Sequence, residues 1–168
     1  MIEFHKKWIT NSYLIIKENC QKINMLDQEI GDGDHGTTIL RGLEEAVSHF
    51  RANNEFDNSI SFMNEISKLM RISMGGASGI LMTIFFKELG NLNFNDLYNT
   101  ILTTFSNTIN KIQTRGKVNF GDKSFLDIYI PIHQELIQNN LIDFDKIITK
   151  IDESLEYTKS LEARVGRA

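Results

Sequence analysis

The sequence predicts an all-α protein built as an antiparallel up-and-down helical bundle or barrel. Pro131 is the single proline in 168 residues, and proline scarcity suits helices because proline breaks their backbone hydrogen bonds. The glycines gather in a few short segments, where the backbone must turn or approach another group closely. Between these segments apolar residues recur every three or four positions, as at Ile60, Met63, Ile66 and Met70, which is the helical period.

The spacing predicts seven helices, separated by polar or glycine-rich breaks. Their predicted bounds are 3–23, 38–52, 58–73, 78–90, 94–114, 123–139 and 143–163. The polar break 53–58 precedes the third helix, which Asn58 or Ser59 can cap. Pro131 lies inside the sixth helix, where we expect it to produce a kink. Short connections between helices of similar length favour antiparallel neighbours.

Composition indicates one globular domain, residues 1–168, with 41% hydrophobic and 24% charged residues. A net charge of −4 without a long basic run argues against a nucleic-acid partner. Cys20 is the single cysteine, which excludes a disulfide framework or a cysteine-rich zinc site within the chain. The N-terminus lacks the apolar core of a signal peptide, and no apolar run approaches the roughly 20 residues that span a bilayer. We therefore expect a cytoplasmic protein without a membrane partner.

The segment 27–38 carries the densest chemical signal, with four acidic residues, a histidine and three glycines in twelve positions. Such charge density is repulsive unless water or a cation screens it, and hard oxygen ligands favour Mg²⁺ or Ca²⁺ over zinc. Asp32 and Asp34 alternate with glycine, so both carboxylates can turn toward one point. Thr37 and Thr38 then open a helix whose N–H groups attract anions. The segment predicts a metal and phosphate site; a solvated Asp-Gly turn is the alternative.

An EF-hand does not fit this segment. Counted from Asp32, position 5 is Gly36, position 6 is Thr37 and position 12 is Leu43. The ligand, the glycine and the glutamate that a calcium loop needs at these positions are all missing.

Two further glycine-rich segments precede predicted helices. In 74–79, the Ser78 hydroxyl and bare N–H groups could hold phosphate oxygens, or the small residues could serve helix packing. Gly79 follows Ser78 directly, so the Gly-x-Ser-x-Gly pattern of hydrolases is not met. The segment 115–124 is close to a P-loop, but Asp122 interrupts it and a helix-capping loop is the alternative. In an antiparallel bundle, the loops after helices one, three and five would meet at one pocket.

Together these motifs resemble the nucleotide-binding L subunit of bacterial dihydroxyacetone kinases, from about residue 8 to the last residue. The matching motifs are Asp27-x-x-Ile30-Gly31-Asp32-Gly33-Asp34-His35-Gly36, Arg41-Gly42, Gly75-Gly76-Ala77-Ser78-Gly79, Arg115-Gly116-Lys117, Gly121-Asp122-Lys123 and Gly166-Arg167-Ala168. The resemblance implies an eight-helix antiparallel barrel with ADP bound at one end. His35 separates the chain from the related fatty-acid-kinase domain, where threonine is expected.

The resemblance also implies the site residues. Two Mg²⁺ ions that bridge to the phosphates of ADP or ATP would be held by Asp27, Asp32 and Asp34. The nucleotide would be contacted by His35, Gly36, Thr37, Thr38, Ala77, Ser78, Gly116, Phe125 and Arg167. No catalytic residue is expected on this chain, because a separate K subunit binds dihydroxyacetone covalently through its own histidine.

The same resemblance implies two partner subunits. Beside the K subunit, a phosphocarrier M subunit of the phosphoenolpyruvate phosphotransferase system would rephosphorylate the bound ADP. In the family the chain continues beyond Gly166-Arg167-Ala168 with a lid and a last helix, which the present sequence lacks. We expect a further tail or a homodimer to bury the side that this leaves open. A kinase subunit for another small polyol or ketose, or a non-catalytic ADP-binding regulator, are the alternative functions.

Overall fold

A computed structural model of the chain describes residues 1–29, 31–53 and 55–164, without the side chain of Ser78. Within these residues the protein is all-helical, with seven α-helices and no strand, as predicted. The α-helices are α1 (Ile2–Gln28), α2 (His35–Ala52), α3 (Ser59–Met74), α4 (Gly76–Glu88), α5 (Leu97–Gly116), α6 (Leu126–Asn139) and α7 (Phe144–Lys159). Two single 3₁₀ turns, Leu89–Asn91 and Phe94–Asp96, stand between α4 and α5.

The predicted bounds are wrong mainly around the first loop. Helix α1 continues to Gln28 instead of ending at 23, and α2 begins at His35 instead of 38. The connection between them is therefore only residues 29–34, so the acidic segment is a tight turn between two helix ends. Asn58 caps α3 as predicted: its side chain accepts the Ser61 N–H at 2.9 Å, and the Ser61 hydroxyl accepts the Asn58 N–H.

The chain divides into two compact units, Met1–Asn91 and Leu92–Ala168; a single domain over 1–168 stays a prediction. In the first unit each helix packs mainly on the next one in sequence. Arg41 near the start of α2 contacts Ser73 at the end of α3, whereas His49 near the end of α2 contacts Glu65 earlier in α3. Helices α2 and α3 therefore run antiparallel.

Helix α3 supplies the centre of the first unit's core. Its residues Phe62, Met63, Ile66 and Met70 are fully buried, and they follow the three-to-four-residue spacing that predicted the helix. They pack in one cluster with apolar residues of α1, α2 and α4: Ile9, Ile39, Leu43, Ala46, Val47, Phe50 and Phe86.

The second unit contains α5, α6 and α7, again packed in sequence order. The Tyr98 hydroxyl at the start of α5 donates to the Leu136 carbonyl near the end of α6 (3.0 Å). Phe105, later in α5, contacts Tyr129, which is earlier in α6. These two helices are therefore antiparallel. Pro131 lies inside α6, as predicted.

In the part of the chain that the structure describes, every helix is too short or too polar to cross a bilayer.

His5 is a polar residue enclosed in the core of the first unit. It is fully buried, and its two ring nitrogens have no hydrogen-bond partner among the residues that the structure describes. The ring stacks on Phe62 at 6.4 Å between centroids. Burial, and secondarily the positive N-terminus, lower the pKa of His5 from 6.5 to about 4.

We predict that His5 makes the fold sensitive to mild acid. The folded chain keeps His5 neutral down to about pH 4, whereas the unfolded chain binds a proton near pH 6.5. Stability is therefore lost as the pH falls through this window, by at most about 1.4 kcal/mol per pH unit. Urea unfolding at about pH 7.5 and about pH 5 should show this loss, and His5→Leu should reduce it. An unchanged pH dependence in His5→Leu would contradict the account.

Candidate metal centre

The turn between α1 and α2 is built around the carboxylate of Asp27. Its Oδ2 accepts the N–H groups of Asp34 (3.0 Å) and His35 (3.3 Å). Its main-chain carbonyl accepts the Gly31 N–H at 2.6 Å. Asp34, the N-cap residue of α2, makes no side-chain cap bond. The start of α2 is therefore capped by a side chain of the preceding helix, in the manner of an N-cap residue.

Asn24 provides a second cap from the same face of α1. Its Oδ1 accepts the Thr37 N–H at 3.0 Å, and its Nδ2 donates to the Thr37 hydroxyl at 2.8 Å. The helices can approach this closely because Gly36 has no side chain: a Cβ there would overlap the Cys20 carbonyl oxygen and lie 2.9 Å from Asn24 Oδ1. Two N–H groups of this helix start, those of His35 and Thr37, are thus already paired. That this helix start binds phosphate stays a prediction.

Asn24 was not singled out from the sequence. Its spacing could have indicated this role, because Asn24 lies three residues before Asp27 and therefore on the same helical face. The predicted first helix ends at residue 23, however, so the prediction places neither Asn24 nor Asp27 on a helical face.

The turn brings the three predicted metal ligands together. Asp27, Asp32 and Asp34 each offer one carboxylate oxygen, and these oxygens all lie within 4.8 Å of one another. Asp27 is half-buried, and the other two are exposed. Gly33 between them has a φ of 74°, a conformation that glycine adopts without the cost of a Cβ. That the three carboxylates hold a cation stays a prediction.

The chemistry of the donor set fits a hard divalent cation. Three carboxylates at this spacing repel one another, and a cation relieves the repulsion. Magnesium binds oxygen at about 2.1 Å, so ligand oxygens on opposite sides of one ion are about 4.2 Å apart. Either one ion or two adjacent ions can span the observed cluster. Asp27 Oδ2 already accepts two N–H groups at the α2 start. The other carboxylate oxygen, Oδ1, is therefore the one that could bind a metal.

The remaining predicted residues of the first unit stand at two helix starts. Residues 35–38 form the first turn of α2, where the Thr38 hydroxyl donates to Asp34 Oδ2 at 3.4 Å. Ala77 is exposed in the first turn of α4. It follows a turn made by Gly75 and Gly76, whose φ values are 68° and 64°. The Ser78 side chain and Arg167 lie outside the described residues.

Gly116 and Phe125 belong to the second unit. Gly116 is the last residue of α5, and Phe125 directly precedes α6. The Phe125 ring stacks on Tyr129, with centroids 6.0 Å apart and an interplanar angle of 17°. Burial raises the pKa of Tyr129, so its hydroxyl stays protonated. The half-buried Phe125 ring is therefore held on one face by Tyr129.

The loop between Gly116 and Phe125 is held by two buried carboxylates. Asp127 is fully buried, and its two oxygens accept the N–H groups of Gly121 (2.5 Å) and Ser124 (2.7 Å). Asp122 Oδ2 accepts the Asn119 N–H at 2.7 Å. These bonds tie the loop to itself and to the first turn of α6, which begins at residue 126 instead of the predicted 123.

Comparison with known proteins gives consistent matches. The family model described as the DAK2 domain matches residues 29–168. The "PEP-dependent dihydroxyacetone kinase 1, ADP-binding subunit DhaL" of Listeria innocua is 30% identical, over 96% of this chain and 80% of that protein. The "PEP-dependent dihydroxyacetone kinase, ADP-binding subunit DhaL" of Escherichia coli is 29% identical over the same shares.

A solved structure matches the fold. The dihydroxyacetone kinase from C. freundii, in complex with AMP-PNP and Mg²⁺, superposes with a TM-score of 0.74. The match covers 94% of this chain and 29% of that chain, at 21% sequence identity. The likeness establishes the helical architecture, and this chain corresponds to less than a third of that protein.

We predict that Asn24 stabilises the first unit as a cap. Asn24→Ala removes an acceptor for the Thr37 N–H and a donor to its hydroxyl, which should cost about 1 kcal/mol of unfolding free energy. Asn19→Ala is a matched control on the same helix, because the Asn19 amide donates to the Ile15 carbonyl within α1 and to no other group in the described part of the chain. Urea denaturation would measure both variants. Equal stability losses in the two variants would show that the cap contributes nothing.

Proposed function

Because this chain belongs to the DAK2 domain family, we propose that it is the nucleotide-binding subunit of a dihydroxyacetone kinase and binds ADP or ATP with Mg²⁺. The observation that carries the proposal is the convergence of three aspartates within 4.8 Å, directly beside the first turn of α2. Two relatives of similar length are named as ADP-binding subunits. The related kinase from C. freundii holds AMP-PNP and Mg²⁺.

In this proposal the metal ligands are Asp27, Asp32 and Asp34, which bind two Mg²⁺ ions. Bound there, the ions would neutralise the phosphate oxygens and thereby lower the cost of bringing them to a carboxylate cluster. The nucleotide contacts are assigned to His35, Gly36, Thr37, Thr38, Ala77, Ser78, Gly116, Phe125 and Arg167. Tyr129 supports the ring of Phe125, which suits an aromatic surface for a nucleotide base.

The chain's own contribution is positioning. Phosphoryl transfer depends mainly on alignment and charge neutralisation, with little covalent work for the protein. Asp27 serves this purpose twice, because its carboxylate holds the α2 start and is also a member of the three-aspartate cluster. The metal ligands and the first turn of α2 are thereby kept in a fixed relation.

The proposal includes two partners and a place in the cell. The relatives are called subunits of kinases that depend on phosphoenolpyruvate, which supports a separate K subunit for dihydroxyacetone and a phosphocarrier M subunit that rephosphorylates bound ADP. We place the protein in the cytoplasm, where these reactants occur. Copurification with a K-type subunit would distinguish this kinase from an ADP-binding regulator.

We predict that nucleotide binding requires Asp32. Asp32→Ala leaves the phosphates facing two carboxylates with an incomplete cation site, so ADP with Mg²⁺ should no longer raise the melting temperature. At a hundredfold excess over Kd, ligand should stabilise the unsubstituted chain by about 2.7 kcal/mol. Glu29→Ala is the matched control, because Glu29 is an exposed acid of the same turn outside the three-aspartate cluster. An equal ADP-dependent shift in Asp32→Ala and Glu29→Ala would refute the metal assignment.

A further inference from the structure

The guanidinium of Arg41 joins α2 to the end of α3. Its Nε donates to the Ser73 carbonyl at 2.7 Å, and its Nη2 donates to the Met74 carbonyl at 3.1 Å. The Ser73 hydroxyl donates back to the Arg41 carbonyl at 3.3 Å. Carbonyls of the last helical turn lack partners within the helix and carry partial negative charge. Arg41 therefore satisfies the end of α3 immediately before the Gly75–Gly76 turn.

Close packing around Met74 reinforces this connection. Met74 is buried between two glycines of neighbouring helices. A Cβ at Gly42 would lie 2.5 Å from Met74 Cγ and 2.7 Å from its Sδ, and a Cβ at Gly79 would lie 2.9 Å from Met74 Cβ. Contacts this short are essentially never seen, so a side chain at either position would force Met74 to move. The end of α3 is thus held against α2 and α4 at once.

The connection lies between two segments that the proposed function assigns to the nucleotide. Arg41 stands one helical turn after Thr37, and Ala77 follows Met74 by three residues. We propose that Arg41 is a positioning residue that holds the Gly75–Ala77 turn in register with the first turn of α2. The two segments then face the nucleotide phosphates as one rigid surface. The nucleotide in this inference rests on the proposed function, whereas the contacts of Arg41 are those of the structure.

Arginine suits this role better than lysine. Its planar guanidinium donates to two successive carbonyls in a fixed fork, whereas a lysine ammonium is a single flexible point charge. A lysine at position 41 would keep the attraction to the negative end of α3 without fixing the turn. Arg41→Lys therefore separates charge from positioning.

The chain offers a matched control at the same helix end. Arg71 is an exposed arginine in the last turn of α3. Its side chain makes no hydrogen bond or ion pair among the described residues. Arg71→Ala therefore removes one positive charge near the same carbonyls without removing a bond to the turn.

Two measurements on the full-length chain test the proposal. Amide hydrogen exchange without ligand should be faster at residues 75–79 in Arg41→Ala, while the buried core of α3 exchanges as in the unsubstituted chain. Calorimetric titration with ADP and Mg²⁺ should show about tenfold weaker binding in Arg41→Ala. Arg41→Lys should also bind more weakly, and Arg71→Ala should bind like the unsubstituted chain.

Other results would contradict the positioning role of Arg41 or the proposed function. Unchanged exchange at residues 75–79, or unchanged ADP affinity in Arg41→Ala, would overturn the positioning role. Faster exchange throughout the first unit would overturn it too, because it would indicate a general structural role. If the unsubstituted chain fails to bind ADP with Mg²⁺, the proposed function is wrong, and the exchange data alone then decide whether Arg41 holds the turn.

Discussion

The acidic turn depends on the carboxylate of Asp27, which belongs to α1 but caps α2. Its Oδ2 accepts two N–H groups at the α2 start, and its carbonyl accepts the Gly31 N–H. The turn must therefore pass close over the end of α1, which brings Asp32 and Asp34 to within 4.8 Å of Asp27. The same carboxylate thus shapes the backbone and forms part of the cluster.

The packing of the first unit preserves this arrangement. Glycine at position 36 lets α1 and α2 approach until Asn24 reaches the Thr37 main chain. Glycine at position 42 likewise lets the Met74 side chain at the end of α3 pack against the backbone of α2. Both glycines lie within two turns of the α2 start. Small residues are therefore concentrated where helix ends must meet, while large apolar residues such as Phe62 fill the core farther along. Close packing near the α2 start fixes the acidic turn, and burial elsewhere in the unit provides stability.

The sequence predicted the helices well because most of them have one apolar face, and the 3.6-residue period is a local signal. It predicted the ends around the acidic turn poorly. The caps there come from Asp27 and Asn24 on a different helix, and such tertiary hydrogen bonds leave no local pattern. The convergence of Asp32 and Asp34 was predictable because alternating aspartate and glycine marks a turn, whereas Asp27 was added to them by the family resemblance. The roles of Asn24 and Arg41 were not, since each acts on the backbone of another element.

The central claim is that the three aspartates bind a nucleoside diphosphate through divalent cations. Native mass spectrometry of the purified chain, equilibrated with ADP and Mg²⁺, tests it most directly. We expect one complex whose added mass equals one ADP and two Mg²⁺ ions, and we expect this complex to be lost when a chelator removes the metal. Persistence of bound ADP after the metal is removed would contradict the account, as would metal binding that ADP does not strengthen.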